Sequence, residues 1–267
     1  MKHKDHYNDH YIMMLSEKLS EVQPEFNREN FSAELIGKLE DKELFARFDF
    51  IVDALEKNLS GDYVETIQTF YQILGPELEQ STGMFSFGWW LWPIGRYVER
   101  HGNTDWEVSL AFLKELTKRF TGEYAIRPLL RGHPQEVMDE LILWSKDENV
   151  HVRRLACEGI RIRLPWSEKI YVAIEEFDRY EEILTNLKDD PEKFVQKSVG
   201  NNLNDLYKDD PKKADSLIEE WRKTPSRGQR TNRTGIPNRI FSKAINVVKS
   251  MFIACVFLGI KNLFIKK

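Results

Sequence analysis

Residues 144–166 read Trp-Ser-Lys-Asp-Glu-Asn-Val-His-Val-Arg-Arg-Leu-Ala-Cys-Glu-Gly-Ile-Arg-Ile-Arg-Leu-Pro-Trp. This order predicts a helix ending at Trp144, a polar turn from Ser145 to Asn149, and a second helix that Pro165 must stop, because proline has no N–H for the helical ladder. Four arginines, Arg153, Arg154, Arg161 and Arg163, surround one acid, Glu158. Residues three and four apart share a helix face, so Arg154, Cys157, Glu158 and Arg161 align, while Val152, Leu155 and Ile162 point toward a core. Two readings follow. In one, the helix is exposed and Glu158 makes surface pairs worth a few tenths of a kcal/mol each. In the other, a basic helix grips phosphates and presents one carboxylate for chemistry.

Outward from this stretch the chain repeats weakly. Trp144-Ser-Lys-Asp-Glu before Val152-Arg-Arg matches Leu187-Lys-Asp-Asp-Pro before Val195-Gln-Lys, 43 residues later. Helix pairs at that spacing, joined by short Asp-containing turns, are the mark of HEAT-like repeats, which stack into a curved solenoid because one pair cannot bury its own apolar face. Apolar positions at helical spacing also predict helices over 11–21, 30–40, 43–58, from Gly61-Asp62 to Gly75-Pro76, and over 105–120. No window shows strand alternation, so the expected fold is all-α: a HEAT-like, ARM-type solenoid of antiparallel helix pairs with a concave face. The second helices, expected to line that face, are placed at 121–131, 149–163 and 193–208, with Pro128 bending the first of them. On the last, Lys197, Ser198, Asn201, Asn202, Asp205 and Lys208 oppose the apolar Val195, Val199, Leu203 and Leu206, and Asn201 or Asn202 is placed to orient Asp205.

The 267 residues are 41% hydrophobic with a net charge of −4, enough for a sizeable core and against a wholly basic coat. Locally, four arginines face one glutamate between Val150 and Trp166. The two cysteines make no disulfide framework or Cys/His zinc pattern, so a reducing cytoplasm is expected, and the polar N-terminus does not read as a secretory signal. His3, His6 and His10 lie at near-helical spacing and read as solvated rather than metal-binding. Trp89, Trp90 and Trp92 read as packing between helices in preference to a base-stacking surface. Residues 223–240 read as a flexible basic linker, and the apolar run 251–260 is too short to span a membrane, leaving a docked or disordered terminal helix. The expected division is therefore a repeat domain at 1–222 and a divergent tail at 223–267.

Four motifs, in order, carry a resemblance. Phe87-Gly-Trp-Trp-Leu-Trp-Pro-Ile-Gly-Arg, Phe120-Thr-Gly-Glu-Tyr-Ala-Ile-Arg-Pro, His151-Val-Arg-Arg-Leu-Ala-Cys-Glu-Gly-Ile-Arg-Ile-Arg-Leu-Pro-Trp and Asn201-Asn-Leu-Asn-Asp resemble the AlkC branch of the bacterial AlkC/AlkD DNA alkylation repair glycosylases, over about residues 11–222. The resemblance implies a HEAT-like solenoid holding alkylated double-stranded DNA. It also implies hydrolysis of the N-glycosidic bond of cationic alkylated purines, chiefly 3-methyladenine, by a monomer without metal or other cofactor, in the cytoplasm on the nucleoid. Carried over by motif, the catalytic residues are Glu123, Glu158 and Asp205, and Trp166 is the aromatic lesion contact. Arg153, Arg154, Arg161, Arg163, Lys197 and Lys208 are candidate phosphate contacts, some of the arginines instead holding Glu158. After Trp221 the sequence leaves the family's pattern. The alternatives are a non-catalytic HEAT-repeat DNA-binding protein and a HEAT-like protein scaffold.

Overall fold

Four polar N-caps set the period of the molecule: Asp62, Asp105, Asn149 and Glu192 each begin the second helix of a pair, spaced 43, 44 and 43 residues apart. The computed structural model describes residues 2–223, and the basic stretch and apolar run that follow lie outside the described residues. In chain order the helices are α1 (Asp9–Val22), α2 (Arg28–Leu35), α3 (Leu44–Asn58), α4 (Tyr63–Ile73), α5 (Met84–Phe87), α6 (Trp92–His101), α7 (Trp106–Thr117), α8 (Ile126–Gly132), α9 (Pro134–Trp144), α10 (Val150–Glu158), α11 (Val172–Glu175), α12 (Phe177–Leu187), α13 (Lys193–Asp209) and α14 (Pro211–Lys223). No strand occurs among them.

These helices form two layers of a HEAT-like solenoid. Second helices neighbour one another in the sequence α1, α4, α7, α10, α13, and α14 closes the row. The other layer runs α2, α3, α6, α8, α9, α12. Side chains from both layers fill the space between them: Phe48, Ile51, Ile67, Phe70, Phe112, Leu113, Val152, Leu155, Ile183, Leu184, Val199 and Leu203 are all buried. Trp92 is buried in this core and Trp89 and Trp90 pack against it, as the aromatic density predicted.

The turn chemistry repeats with the helices. Asp147 accepts a hydrogen bond from the backbone N–H of Asn149, and Asp190 accepts one from Glu192, both at 2.8 Å. Each aspartate also meets a cation from the preceding repeat, Lys114 on Asp147 at 3.0 Å and Arg153 on Asp190 at 2.6 Å. The Asp-containing turns seen in the sequence therefore fasten one pair to the next.

Three helix boundaries differ from those expected. The segment 121–131 is no second helix: 121–125 is loop, α8 starts at Ile126, and Pro128 sits in its first turn, where a missing N–H breaks nothing. Helix α10 stops at Glu158, well before Pro165. Gly159 follows, and a Cβ there would stand 2.7 Å from the Ile126 side chain, so the close approach of α8 demands glycine at this point. Helix α2 ends at Leu35 and the chain turns at Gly37, whose φ is 73°.

Candidate active site

The early end of α10 decides the site. Because the backbone leaves the helix after Glu158, Arg161 lies in a turn and reaches both ways. Its Nη1 donates to Glu158 Oε1 at 2.8 Å, and its Nε donates to Asp205 Oδ2, on α13, at 2.9 Å. Arg154, one turn earlier on α10, meets Glu123 Oε2 at 2.6 Å and Glu158 Oε1 at 3.8 Å, and its guanidinium lies over the Phe194 ring. Glu123 comes from the α7–α8 loop, where Thr121 Oγ1 donates to it at 3.1 Å. Three carboxylates from three distant segments are thus held by two arginines.

This cluster is nearly dry, with Glu158 6% and Asp205 2% exposed. The reading of Glu158 as a surface acid in weak pairs is therefore corrected: it is sealed beneath its two arginines. Burial by itself raises the pKa of Glu158, but the Arg154 and Arg161 guanidiniums outweigh it, and with the Ser198 hydroxyl they hold the carboxyl below its ordinary value. Ser198 on α13 donates its hydroxyl hydrogen to Glu158 Oε2. Both Glu158 oxygens are therefore engaged. The contacts on Glu123 from Thr121 and Arg154 fall on Oε2, and those on Asp205 from Arg161 and the Arg163 N–H fall on Oδ2.

The expected orientation of Asp205 by its asparagine neighbours does not occur for Asn202. That side chain turns away and donates to the Cys157 carbonyl at 2.8 Å and the Ser198 carbonyl at 3.1 Å, tying α13 to α10. Asp205 is instead oriented by Arg161 and by the Arg163 backbone N–H at 3.4 Å. Cys157 is buried beside it, and burial pushes its thiol up to about 12, which keeps it a neutral packing group.

Trp166 projects from the loop after Arg161. It is 68% exposed, with a φ of 61°, a conformation that costs a bulky L-residue roughly 1–2 kcal/mol. Its ring meets Phe45 edge-on at 6.5 Å, on the rim of a cleft of about 260 Å³ shared with Tyr124 and Arg127. Two side chains hold this loop. Tyr124 donates its hydroxyl to the Pro165 carbonyl at 3.3 Å. Arg127 donates to the carbonyls of Arg161, at 2.8 Å, and Glu168. Buried Arg127 has a pKa lowered to about 10, first by burial and then by Arg131 and Arg161, which outweigh the opposing pull of Glu99 and Glu123.

The remaining expected cations fall into two groups. Arg153 pairs with Asp190 and Arg163 with Asp209 at 2.6 Å, so both brace the repeat, as Arg154 and Arg161 brace the carboxylates. Lys197 and Lys208, on α13, are exposed. The N-terminal histidines do not converge: His3 packs near Phe85 and His6 on Trp89, and among the described residues no group of three His, Cys, Asp or Glu side chains is placed to hold a metal. No described helix is long and apolar enough to cross a membrane. Sequence reading placed Ser198 on the polar face with Asp205 but gave it no role, and it gave none to Tyr124, Arg127 or Phe45; Tyr124 and Arg127 stand beside Glu123 in its own motif, and nothing local marks Phe45.

This all-helical HEAT-like solenoid, with its arginine-braced carboxylates and exposed Trp166, is similar to proteins of DNA alkylation repair. The chain belongs to the DNA alkylation repair enzyme family, whose model matches residues 98–237. Over 221 residues it is 34% identical to an uncharacterized protein, YhaZ, of Bacillus subtilis (strain 168), covering 82% of this chain and 59% of that one. In fold it is similar to the Pseudomonas fluorescens alkylpurine DNA glycosylase AlkC bound to DNA containing an abasic site analog, with a TM-score of 0.75 and 28% identity over 95% of this chain and 65% of that one. The chain thus spans less than two thirds of the length of either protein.

Proposed function

We propose that this protein is a monofunctional DNA glycosylase that hydrolyses the N-glycosidic bond of cationic alkylated purines, chiefly 3-methyladenine, in duplex DNA. The observation that carries this reading is the Arg161 bridge between Glu158 and Asp205, because it fixes two carboxylates from α10 and α13 together at one nearly dry site and engages Asp205 through Oδ2. An alkylated purine already carries positive charge, so its bond to the sugar breaks without a proton donor, and the charge passes to an oxocarbenium-like sugar. A carboxylate about 4 Å from that sugar, at an effective dielectric of about 20, contributes on the order of 4 kcal/mol, roughly a thousandfold in rate.

The roles divide by which oxygens are engaged. Glu158 is saturated by Arg161 and Ser198 and positions the arginines. Asp205 and Glu123 each keep an oxygen for the sugar and the attacking water. Trp166 offers an indole face to the cationic base, worth about 0.5–2 kcal/mol. A normal base, which needs protonation to leave, gains little from such a site, and selectivity for cationic lesions follows. Lys197 and Lys208 are exposed and suited to phosphates, giving salt-dependent, sequence-independent binding to DNA by a monomer in the cytoplasm.

The test is release of 3-methyladenine from methylated duplex by the full chain. Asp205→Asn removes the carboxylate charge while keeping the side chain's shape, and is expected to abolish release while leaving duplex binding within about threefold of the parent, with folding checked by thermal melting because the Arg161 pair is also weakened. Full release by that variant sinks the assignment. The ion pairing of all three acids also suits a non-catalytic DNA-binding solenoid, which would bind the duplex and release no base from it.

A further inference from the structure

Helix α5 is a single turn, and it carries the most exposed large hydrophobic side chain among the described residues, Phe87 at 73%. Two glycines bracket it. Gly83 supplies a φ of 94°, and a Cβ on Gly88 would overlap the Arg119 carbonyl, so the turn is pinned against the end of α7. Phe85, 43% exposed, is anchored edge-on against Phe120 at 5.4 Å and tilted against Trp92 at 5.8 Å. Phe87 has no ring partner among the described residues and stands in solvent.

The turn leans on both segments that supply the buried acids. Phe120 leads directly into Thr121 and Glu123, and the Gln80 carbonyl accepts a 2.8 Å hydrogen bond from His151 of α10. From Phe85 the rings continue through Trp92 and Phe45 to Trp166 in steps of 5.8, 6.0 and 6.5 Å. That span is shorter than about six base-pair rises of about 3.4 Å each. Beside the turn lies the N-terminal segment, with exposed Lys2 and His3, the His3 ring 5.9 Å from Phe85. Lys4 is committed to Glu43, and Asp5 accepts from the Lys2 backbone.

We propose that this edge is a second DNA contact, resting on the glycosylase reading above. Phe87 stacks on a base step beside the lesion, as an apolar wedge in bent duplex, while Lys2 and His3 meet neighbouring phosphates. Bare phenyl rings find large π faces in a partly unstacked duplex, and bending lets one rigid surface hold the lesion and a step several base pairs away. The Lys2 charge and the His3 ring N–H match phosphate oxygens and would be idle against an apolar protein surface.

The experiment uses full-length protein and a duplex carrying an abasic-site analogue with 2-aminopurine a few positions away. Wild type is expected to raise the 2-aminopurine fluorescence on binding. Phe87→Ala should lose that rise and bind about 5- to 150-fold more weakly, Phe87→Trp should keep both, and melting should stay that of wild type because the ring is exposed. Lys2→Gln should lower the slope of log affinity against log salt by about 0.9. Binding by Phe87→Ala within about twofold of wild type overturns the contact, as does an effect of Phe87 on self-association alone. The two readings fail separately. Base release insensitive to a neutral Phe87→Ala removes this contact only, whereas a Phe87-dependent fluorescence rise without any base release removes the glycosylase reading only.

Discussion

Replacing Arg161 with methionine removes the one side chain that bridges Glu158 and Asp205 while keeping most of its apolar stem. The loss is large because both acids are nearly buried: Asp205 Oδ2 keeps the 3.4 Å Arg163 N–H, and Glu158 keeps Ser198 and the distant Arg154. Removing one partner of a buried ion pair costs about 3–5 kcal/mol. For a domain of 150–250 residues that corresponds to a fall in Tm of about 6–20 °C. Arg161→Lys should recover part of the loss, because a compact ammonium meets one carboxylate where the planar guanidinium fork meets two.

The effect has a defined pH signature. In wild type the folded pKa of Glu158 is held below its ordinary value, so its contribution to stability is present above the unfolded pKa, about 4.3, and is lost as pH falls through the lower folded value. In Arg161→Met burial is opposed far less, and the folded pKa moves upward. The variant's deficit should therefore be greatest near neutrality and shrink as pH falls toward the unfolded pKa, where protonation removes the buried charge. Urea unfolding of the two proteins at neutral pH and near pH 5 measures this. A deficit below about 1 kcal/mol at neutrality, or one independent of pH, would refute the idea that Arg161 neutralises two sealed acids.

Two further outcomes follow from the same geometry. Ser198→Ala removes the hydroxyl that holds Glu158 Oε2; the Glu158 pKa should rise, moving the acid limb of the base-release profile to higher pH, and Ser198→Thr should restore it, whereas an unshifted limb would reduce Ser198 to packing. Trp166→Gly should raise stability by about 1–2 kcal/mol through relief of the positive φ while base release falls, as measured by thermal melting and by release from methylated duplex; a fall in both would mean the indole is a packing residue.

Much of the architecture was legible before the structure. The 43-residue echo between Ser145-Lys-Asp-Glu and Lys188-Asp-Asp-Pro is a local pattern of caps and turns, and it reappears as the four evenly spaced N-caps. Periodicity placed Val152, Leu155, Val199 and Leu203 in the core because one helix face must lose its water. It misplaced the segment around Glu123, since the proline at 128 reads as a breaker whether it falls mid-helix or in a first turn.

What the sequence determined by itself was the sort of protein: stacked helix pairs, three widely separated acids within motifs of one family, and an arginine-rich stretch around one of them. What only the tertiary structure decided was which arginine serves which acid. Arg161 finds Asp205 across 44 residues because α10 ends at Glu158 and the chain turns after Gly159, where α8 packs too close for a Cβ. A helix continuing to Pro165 would have kept Arg161 on the same face as Glu158 without sending it to α13. Such a pairing depends on the packing of three segments, and local spacing carries no record of it.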